Sequence, residues 1–251
     1  MSDLQVGVIG TGAIGETHVE RLTNCITGAK VVAVSDINSE KARGIAEKYN
    51  AEFFEQGEDL IRSPSVQAIV VASWDPTHEK YVLEAIRAGN YVFCEKPLAE
   101  TAESCLRIMD AEVLGGKQLV QVGFMRRFDA GYRSMKAALD SGEFGEPLMV
   151  HCIHRNATSN SQYETKVNVT GTAIHEIDIV RWLLEEEIVS ANIIQPKVSR
   201  HVCNNQLDPQ IIMLRTESGV TIDIETFMHC QYGYDVQCEI VGEDGTVRLP
   251  S

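Results

Sequence analysis

Residues Val6 to Gly15, VGVIGTGAIG, constrain the fold more than any other stretch of the chain. Val6, Val8 and Ile9 form an apolar run fit for a short buried strand. Gly10, Gly12 and Gly15 then give G-x-G-x-x-G, and a helical pattern continues through His18, Val19 and Leu22. A strand, a glycine turn and a helix make a dinucleotide-binding fingerprint. The first glycine allows the tight turn, the second lets backbone approach a pyrophosphate, and the third lets helix and strand pack closely. The opening helix residues, Ala13 and Ile14, place unpaired N–H groups and a positive dipole end beside the phosphates. A second apolar run, Val31 to Val34, ends at Ser35 and Asp36. That carboxylate falls about 20 residues beyond the glycines, where a ribose-binding acid is expected. Asp36 can accept from both ribose hydroxyls and would repel a 2′-phosphate. Ile37 and Asn38 supply no cation, so the reading is NAD over NADP. A glycine turn in a sheet protein without a cofactor is the plainer alternative.

The order of elements supports a parallel sheet. Helical signals at 40–49, 58–62, 77–88 and 101–114 alternate with strand signals at 52–54, 68–72, 91–94 and 119–122. The continuous run AIVVA at 68–72 suits a strand covered on both faces. This βαβα order predicts a doubly wound α/β Rossmann sheet over residues 1–123. After Gly123 the pattern changes. Helices at 129–139 and 173–184 flank strands at 148–154, 188–194, 211–216, 220–227, 234–241 and 246–249, with hairpin turns at 217–219 and 242–245. Residues 124–251 therefore read as an α+β domain with a mostly antiparallel, open-faced sheet carrying helices on one face.

Composition narrows the partners. The 251 residues carry a net charge of −14, which argues against nucleic acid and anionic membrane surfaces. Seven scattered cysteines without C-x-x-C read as reduced thiols. The strand begins almost at once, leaving no room for a signal, and no apolar run is long enough to span a bilayer. The expectation is a cytoplasmic protein.

Ligands on such sheets lie beyond the carboxyl ends of the strands. Three segments occupy that edge: Ser73-Trp74-Asp75-Pro76-Thr77-His78, Glu95-Lys96-Pro97, and Gly123 to Asp129 with Met125 and Arg126. Lys96 there could hydrogen-bond a substrate hydroxyl and stabilise an alkoxide as hydride leaves. A solvated surface lysine fits the same spacing. In the second domain, His175 and Asp178 lie three apart on one predicted helical face. His175 near the helix start suits a general base at neutral pH, or a polar group packed between helix and sheet. The helix lacks the second His of H-E-x-x-H, and His151 and His154 fall on opposite faces of a strand, so no metal site is expected. His154-Arg155-Asn156 is a candidate polyol-binding cluster. Tyr232 and Tyr234 share one predicted strand face, one of them in reach of a cleft. Sheet-surface packing explains both clusters equally well.

Together the glycine fingerprint, SWDPTH, E-K-P and the helix-borne H-E-x-D resemble the Gfo/Idh/MocA oxidoreductases across nearly the whole chain. The longer strings VFCEKPLA, QVGFMRRFD, AIHEIDIVRWLL and YGYDVQCEIVGEDG are most similar to the inositol dehydrogenases of that family. The resemblance implies a catalytic pair, Lys96 and His175, with His175 accepting the proton. It implies a polyol pocket of Met125, Arg126, His154 and Tyr234. It implies an NAD site lined by Gly10, Gly12, Ala13, Ile14, Gly15, Asp36, Ile37, Ser73, Trp74, His78, Glu95 and Lys96. The implied reaction is oxidation of a ring hydroxyl of myo-inositol to the 2-keto inosose. Assembly into a dimer or tetramer through the open sheet face is also implied.

Two departures stand out. Those dehydrogenases carry an Asp four residues before the catalytic His, and this chain has Gly171 there. Loss of a base's orienting partner costs roughly 10²–10⁴ in rate, so weakened turnover with retained NAD binding is expected. A catalytically silent NAD-binding sensor is the competing class; scyllo-inositol or an aldose such as glucose is the competing substrate. Family members also run past the equivalent of Ser251, so uncovered apolar surface and lower stability or altered assembly are expected.

Overall fold

A computed structural model describes residues 3–157, 164–203 and 205–249. The chain divides into two units, Met1–Gly123 and Phe124–Ser251, and each carries its own six-stranded sheet.

The first unit alternates strand and helix. Its elements are β1 (Leu4–Ile9), α1 (Ala13–Asn24), β2 (Ala29–Ser35), α2 (Ser39–Tyr49), β3 (Glu52–Phe53) and α3 (Gly57–Arg62). Then come β4 (Ala68–Val71), α4 (His78–Ala88), β5 (Tyr91–Cys94), α5 (Ala102–Gly115) and β6 (Val120–Val122). The strands lie in the order β3-β2-β1-β4-β5-β6 and every pairing is parallel. Two apolar clusters cover the sheet. Val6, Val8, Val19, Val31, Val34 and Ile45 belong to one, and Ile9, Leu60, Ile69, Val71, Val82, Val92 and Ile108 to the other. Burial on both sides is why these strands read as unbroken apolar runs. The order reverses at β1, whose neighbours are β2 and β4. The crevice at such a switch point is where α/β sheets take their ligands.

The second unit holds a 3₁₀ turn (Met125–Phe128), α6 (Ala130–Asp140), β7 (Pro147–Arg155), a π-helical turn (Asn168–Ala173) and α7 (Ile174–Leu184). The strands β8 (Ile188–Ile194), β9 (Gln210–Thr216), β10 (Thr221–Phe227), β11 (Asp235–Gly242) and β12 (Thr246–Arg248) follow. Asp129 caps α6, its carboxylate accepting from the N–H groups of Gly131 and Tyr132. Tyr132, Met135, Ile179, Val180 and Leu183 of α6 and α7 pack on alternate residues of the sheet: Val150, Cys152, Ile212, Leu214, Ile222, Ile224, Cys238 and Ile240. The intervening residues of β7, Met149 and His151, are exposed, as expected of a sheet with helices on one face.

Two local features depart from the sequence pattern. The sheet order is β12-β11-β7-β10-β9-β8, and β7 pairs with β10 in parallel. Two antiparallel groups, β8-β9-β10 and β7-β11-β12, meet at that seam. Period-two alternation shows which face a strand buries but not which strand lies beside it. Next, β11 starts at Asp235, so Tyr232 and Tyr234 do not share a strand face. Gly233, at φ +134°, turns the chain between them. The Tyr232 ring packs edge-on to Phe227 and the Tyr234 ring edge-on to His154. His175 is the second residue of α7, near the helix start as expected, with the π-helical turn leading into it.

Ile222 is fully buried on β10, between α7 and the neighbouring strands. Ile222→Ala is expected to lower stability by about 2–5 kcal/mol, read as an earlier urea midpoint with the slope unchanged.

Candidate functional site

In the first unit, the three fingerprint glycines answer three different demands. Gly10 has φ +91°, and a Cβ there would meet the Ala72 carbonyl oxygen and the Ser73 nitrogen at 2.4 Å. A Cβ on Gly15 would meet the Gly10 carbonyl oxygen at 1.8 Å. The protein itself therefore excludes side chains at both positions. Around Gly12 nothing lies within 4 Å of the added atom. That open space faces the start of α1, which has no side-chain cap, so its first N–H groups await an acceptor. A pyrophosphate fits this cradle by size and by charge.

Asp36 follows β2. Its Oδ2 accepts from the Thr11 N–H at 2.5 Å and the Thr11 hydroxyl at 3.2 Å, and its Oδ1 from the Asn38 N–H at 2.8 Å. These bonds lock the carboxylate to the glycine turn. A carboxylate has about four acceptor positions; three are taken, which leaves about one for a ribose hydroxyl. Ile14, Ile37 and Trp74 expose large apolar side chains at this same edge of the sheet, Ile37 completely. Ser73 donates to or accepts from the Thr77 hydroxyl at 2.7 Å.

Beyond β5, Glu95 and Lys96 precede a cis peptide at Pro97. The Glu95 carboxylate meets His18 Nε2 of α1 at 2.8 Å, a partner that sequence reading missed. His78 is almost wholly buried. Its Nδ1 lies 2.7 Å from the Pro97 carbonyl and its Nε2 3.0 Å from the Ser73 carbonyl. It braces the Ser73 segment against the Lys96–Pro97 turn from inside the unit.

In the second unit a polar cluster sits where α7, the 3₁₀ turn and β7 converge. Glu176 is completely buried on α7, directly after His175, which is itself buried. Arg126, also buried, places Nη1 on the Glu176 carboxylate and 3.3 Å from the Tyr132 hydroxyl. Burial works against the Arg126 charge, but Glu176 beside it prevails and holds the guanidinium above its ordinary range. Burial likewise pushes the Tyr132 phenol up. His154, on the buried face of β7, brings Nδ1 to 3.1 Å from Glu176 and 3.2 Å from Arg126 Nη2. Its ring lies 6.1 Å from that of His175 and 5.8 Å from that of Tyr234. The second unit thus gathers His175, His154, Tyr234 and Arg126. Met125 lies on the 3₁₀ turn beside Arg126 with its side chain exposed.

The remaining acid of the helix motif is committed elsewhere. Asp178 takes Arg127 in a two-bond fork, at 2.6 and 2.9 Å. That bond holds the Arg127 guanidinium above its ordinary range. Glu176 and Arg127 were the residues sequence reading passed over. Two acids in a helix rich in apolar residues, together with two adjacent arginines, were the available signal: buried charges need partners.

Comparison with known proteins shows the family. The family model of the GFO/IDH/MocA oxidoreductase family, NAD-binding Rossmann fold, matches residues 4–124, and that of the GFO/IDH/MocA C-terminal domain matches residues 132–248. The chain belongs to the GFO/IDH/MocA family. Among GFO/IDH/MocA relatives, the inositol 2-dehydrogenase of Burkholderia lata is 55% identical over 249 residues, covering 98% of this chain and 74% of the relative. Inositol 2-dehydrogenase 3 of Saccharopolyspora erythraea is 55% identical over 247 residues, covering 98% of this chain and 73% of the relative. The solved myo-inositol dehydrogenase of Lactobacillus casei, in complex with NAD(H) and myo-inositol, superposes with a TM-score of 0.95 at 43% identity. That match covers 99% of this chain and 74% of the other. The first unit is accordingly the NAD-binding Rossmann domain of a GFO/IDH/MocA oxidoreductase.

The glycine geometry separates folding from binding. Gly15→Ala is expected to destabilise the protein by about 1–3 kcal/mol through the backbone clash. Gly12→Ala should change stability by less than about 0.5 kcal/mol while weakening NAD roughly tenfold, ~1.4 kcal/mol. Thermal melts and an NAD fluorescence titration on both variants check the pair.

Proposed function

We propose that this protein oxidises a secondary ring hydroxyl of myo-inositol to the 2-keto inosose, with NAD as oxidant. The observation that carries the reading is the clustering of His175, His154 and Tyr234 over the buried Arg126–Glu176 pair, in a chain whose relatives are named inositol 2-dehydrogenases. When bound, NAD supplies the acceptor for the hydrogen that leaves carbon. His175 takes the hydroxyl proton, a role suited to an imidazole at neutral pH. Lys96 donates a hydrogen bond to the reacting oxygen and steadies its developing negative charge. Met125, Arg126, His154 and Tyr234 form the polyol pocket. Gly12, Ala13 and Ile14 face the pyrophosphate on the turn that Gly10 and Gly15 make possible, and Asp36 with Ile37 selects NAD. Ser73, Trp74, His78 and Glu95 shape the remainder of the cofactor site. Copies associate as a dimer or tetramer through the open face of the second sheet.

A second reading rests on Gly171. It lies in the π-helical turn one helical turn before His175, where the resemblance calls for an Asp. Asp178 does not stand in, because Arg127 occupies its carboxylate. On this reading the protein binds NAD and turns over slowly or not at all. A Cβ at Gly171 would lie 2.7 Å from Val167 Cγ1, so a carboxylate can be restored cleanly only if Val167 gives way.

NADH formation from NAD and myo-inositol tests both, on the native chain, on Gly171→Asp and on Gly171→Asp with Val167→Ala. The expected outcome is NADH from the native chain, faster with myo-inositol than with scyllo-inositol or glucose. A gain of about 10² or more in the double variant from a silent but NAD-binding native chain would establish the second reading. A rate highest on scyllo-inositol or glucose would move the substrate assignment.

A further inference from the structure

Two groups compete for one nitrogen in the second unit. His154 Nδ1 lies 3.2 Å from Arg126 Nη2, which can only donate. Both oxygens of Glu176 lie 3.1 Å from the same Nδ1, and they can only accept. A single nitrogen cannot satisfy both. The ring must therefore choose a tautomer, and the choice decides what its other nitrogen offers.

We propose that Glu176 is a positioning residue that holds His154 in the Nδ1–H tautomer, so that Nε2 presents a hydrogen-bond acceptor to a polyol hydroxyl. Two observations favour the carboxylate over the guanidinium. The two Glu176 oxygens straddle Nδ1 at equal distance, whereas Arg126 offers one longer contact. Glu176 is entirely shut off from water, so a lone pair aimed at its carboxylate would meet unscreened repulsion. Nε2 makes no hydrogen bond among the described residues. A ring nitrogen left as an acceptor beside His175 and Tyr234 takes a hydroxyl proton, whereas the opposite tautomer would present a donor. Glu176 thereby links α7, the 3₁₀ turn and β7, and one carboxylate orients two of the residues assigned to polyol binding.

The inference rests on the polyol reading for its consequence but not for its geometry. Its test therefore begins with a spectrum. In ¹⁵N-histidine-labelled protein, which holds seven histidines, the His154 signals are assigned by their loss in His154→Gln. Two-bond ¹H–¹⁵N correlations then report the tautomer. Nδ1–H in the native protein is expected, and Nε2–H would overturn the proposal even if no Glu176 variant folds. In Glu176→Gln the Nδ1–H population should fall. The kcat/KM for myo-inositol should fall about 10- to 100-fold while the NAD dissociation constant stays unchanged. Native tautomer and native kcat/KM in Glu176→Gln would also overturn it. If the native protein oxidises no polyol, the function reading fails separately and the spectra still decide the tautomer.

Discussion

A charge that has been taken out of water organises the second domain. Glu176 sits on a helix that also buries Ile179, Val180 and Leu183, and it has no solvent to answer it. Its desolvation is tolerable only with a cation and further donors around it, and removing one partner of such a pair typically costs about 3–5 kcal/mol. Arg126 supplies the cation, and Arg126 in turn takes the Tyr132 hydroxyl. Because these residues come from α7, the 3₁₀ turn and α6, satisfying the charge fixes three segments against one another. His154 joins from β7. The residues assigned to polyol chemistry are thus held by the same bonds that make the burial of Glu176 possible.

The cofactor domain meets a different constraint, one of backbone approach rather than of charge. Gly10 and Gly15 exist because neighbouring backbone leaves no room for a Cβ, and their role is to let β4 and α1 close on the turn. Gly12 has room to spare, and its lack of a side chain serves whatever occupies that space. Asp36 is tied into the same turn through Thr11, so the acid after β2 and the glycine turn are set relative to one another by two hydrogen bonds. His78 repeats the pattern one layer deeper, joining the loops after β4 and β5 through their carbonyl oxygens.

Some of this was legible in the chain and some was not. The glycine spacing, the acid after β2, the apolar strand runs and the one-sided helices of the second domain are local patterns, and each returned the element it implied. The strand neighbours of the second sheet were not legible. The parallel seam between β7 and β10 joins strands far apart in the chain, and alternation carries no record of such a partner. Tyr232 and Tyr234 had the spacing of a shared face, but a glycine with φ +134° between them sent each ring to a different neighbour. Asp178 had the right spacing from His175 on a helix, yet Arg127 claims it.

The sequence by itself determined the two-part division of the chain's pattern, the dinucleotide fingerprint and its acid, and the family to which they belong. These depend on residues close in sequence, or on turn and strand chemistry that repeats wherever it occurs. Only the tertiary structure decided how the charges pair: Glu176 with Arg126 and His154, Asp178 with Arg127, His18 with Glu95. A buried carboxylate must find a partner, and for the acids of α7 it lies some fifty residues away; the half-buried Glu95, just after β5, meets a residue of α1. Which of two adjacent arginines meets which of two nearby acids is fixed by the packing of helix, turn and sheet. No spacing rule along the chain encodes it.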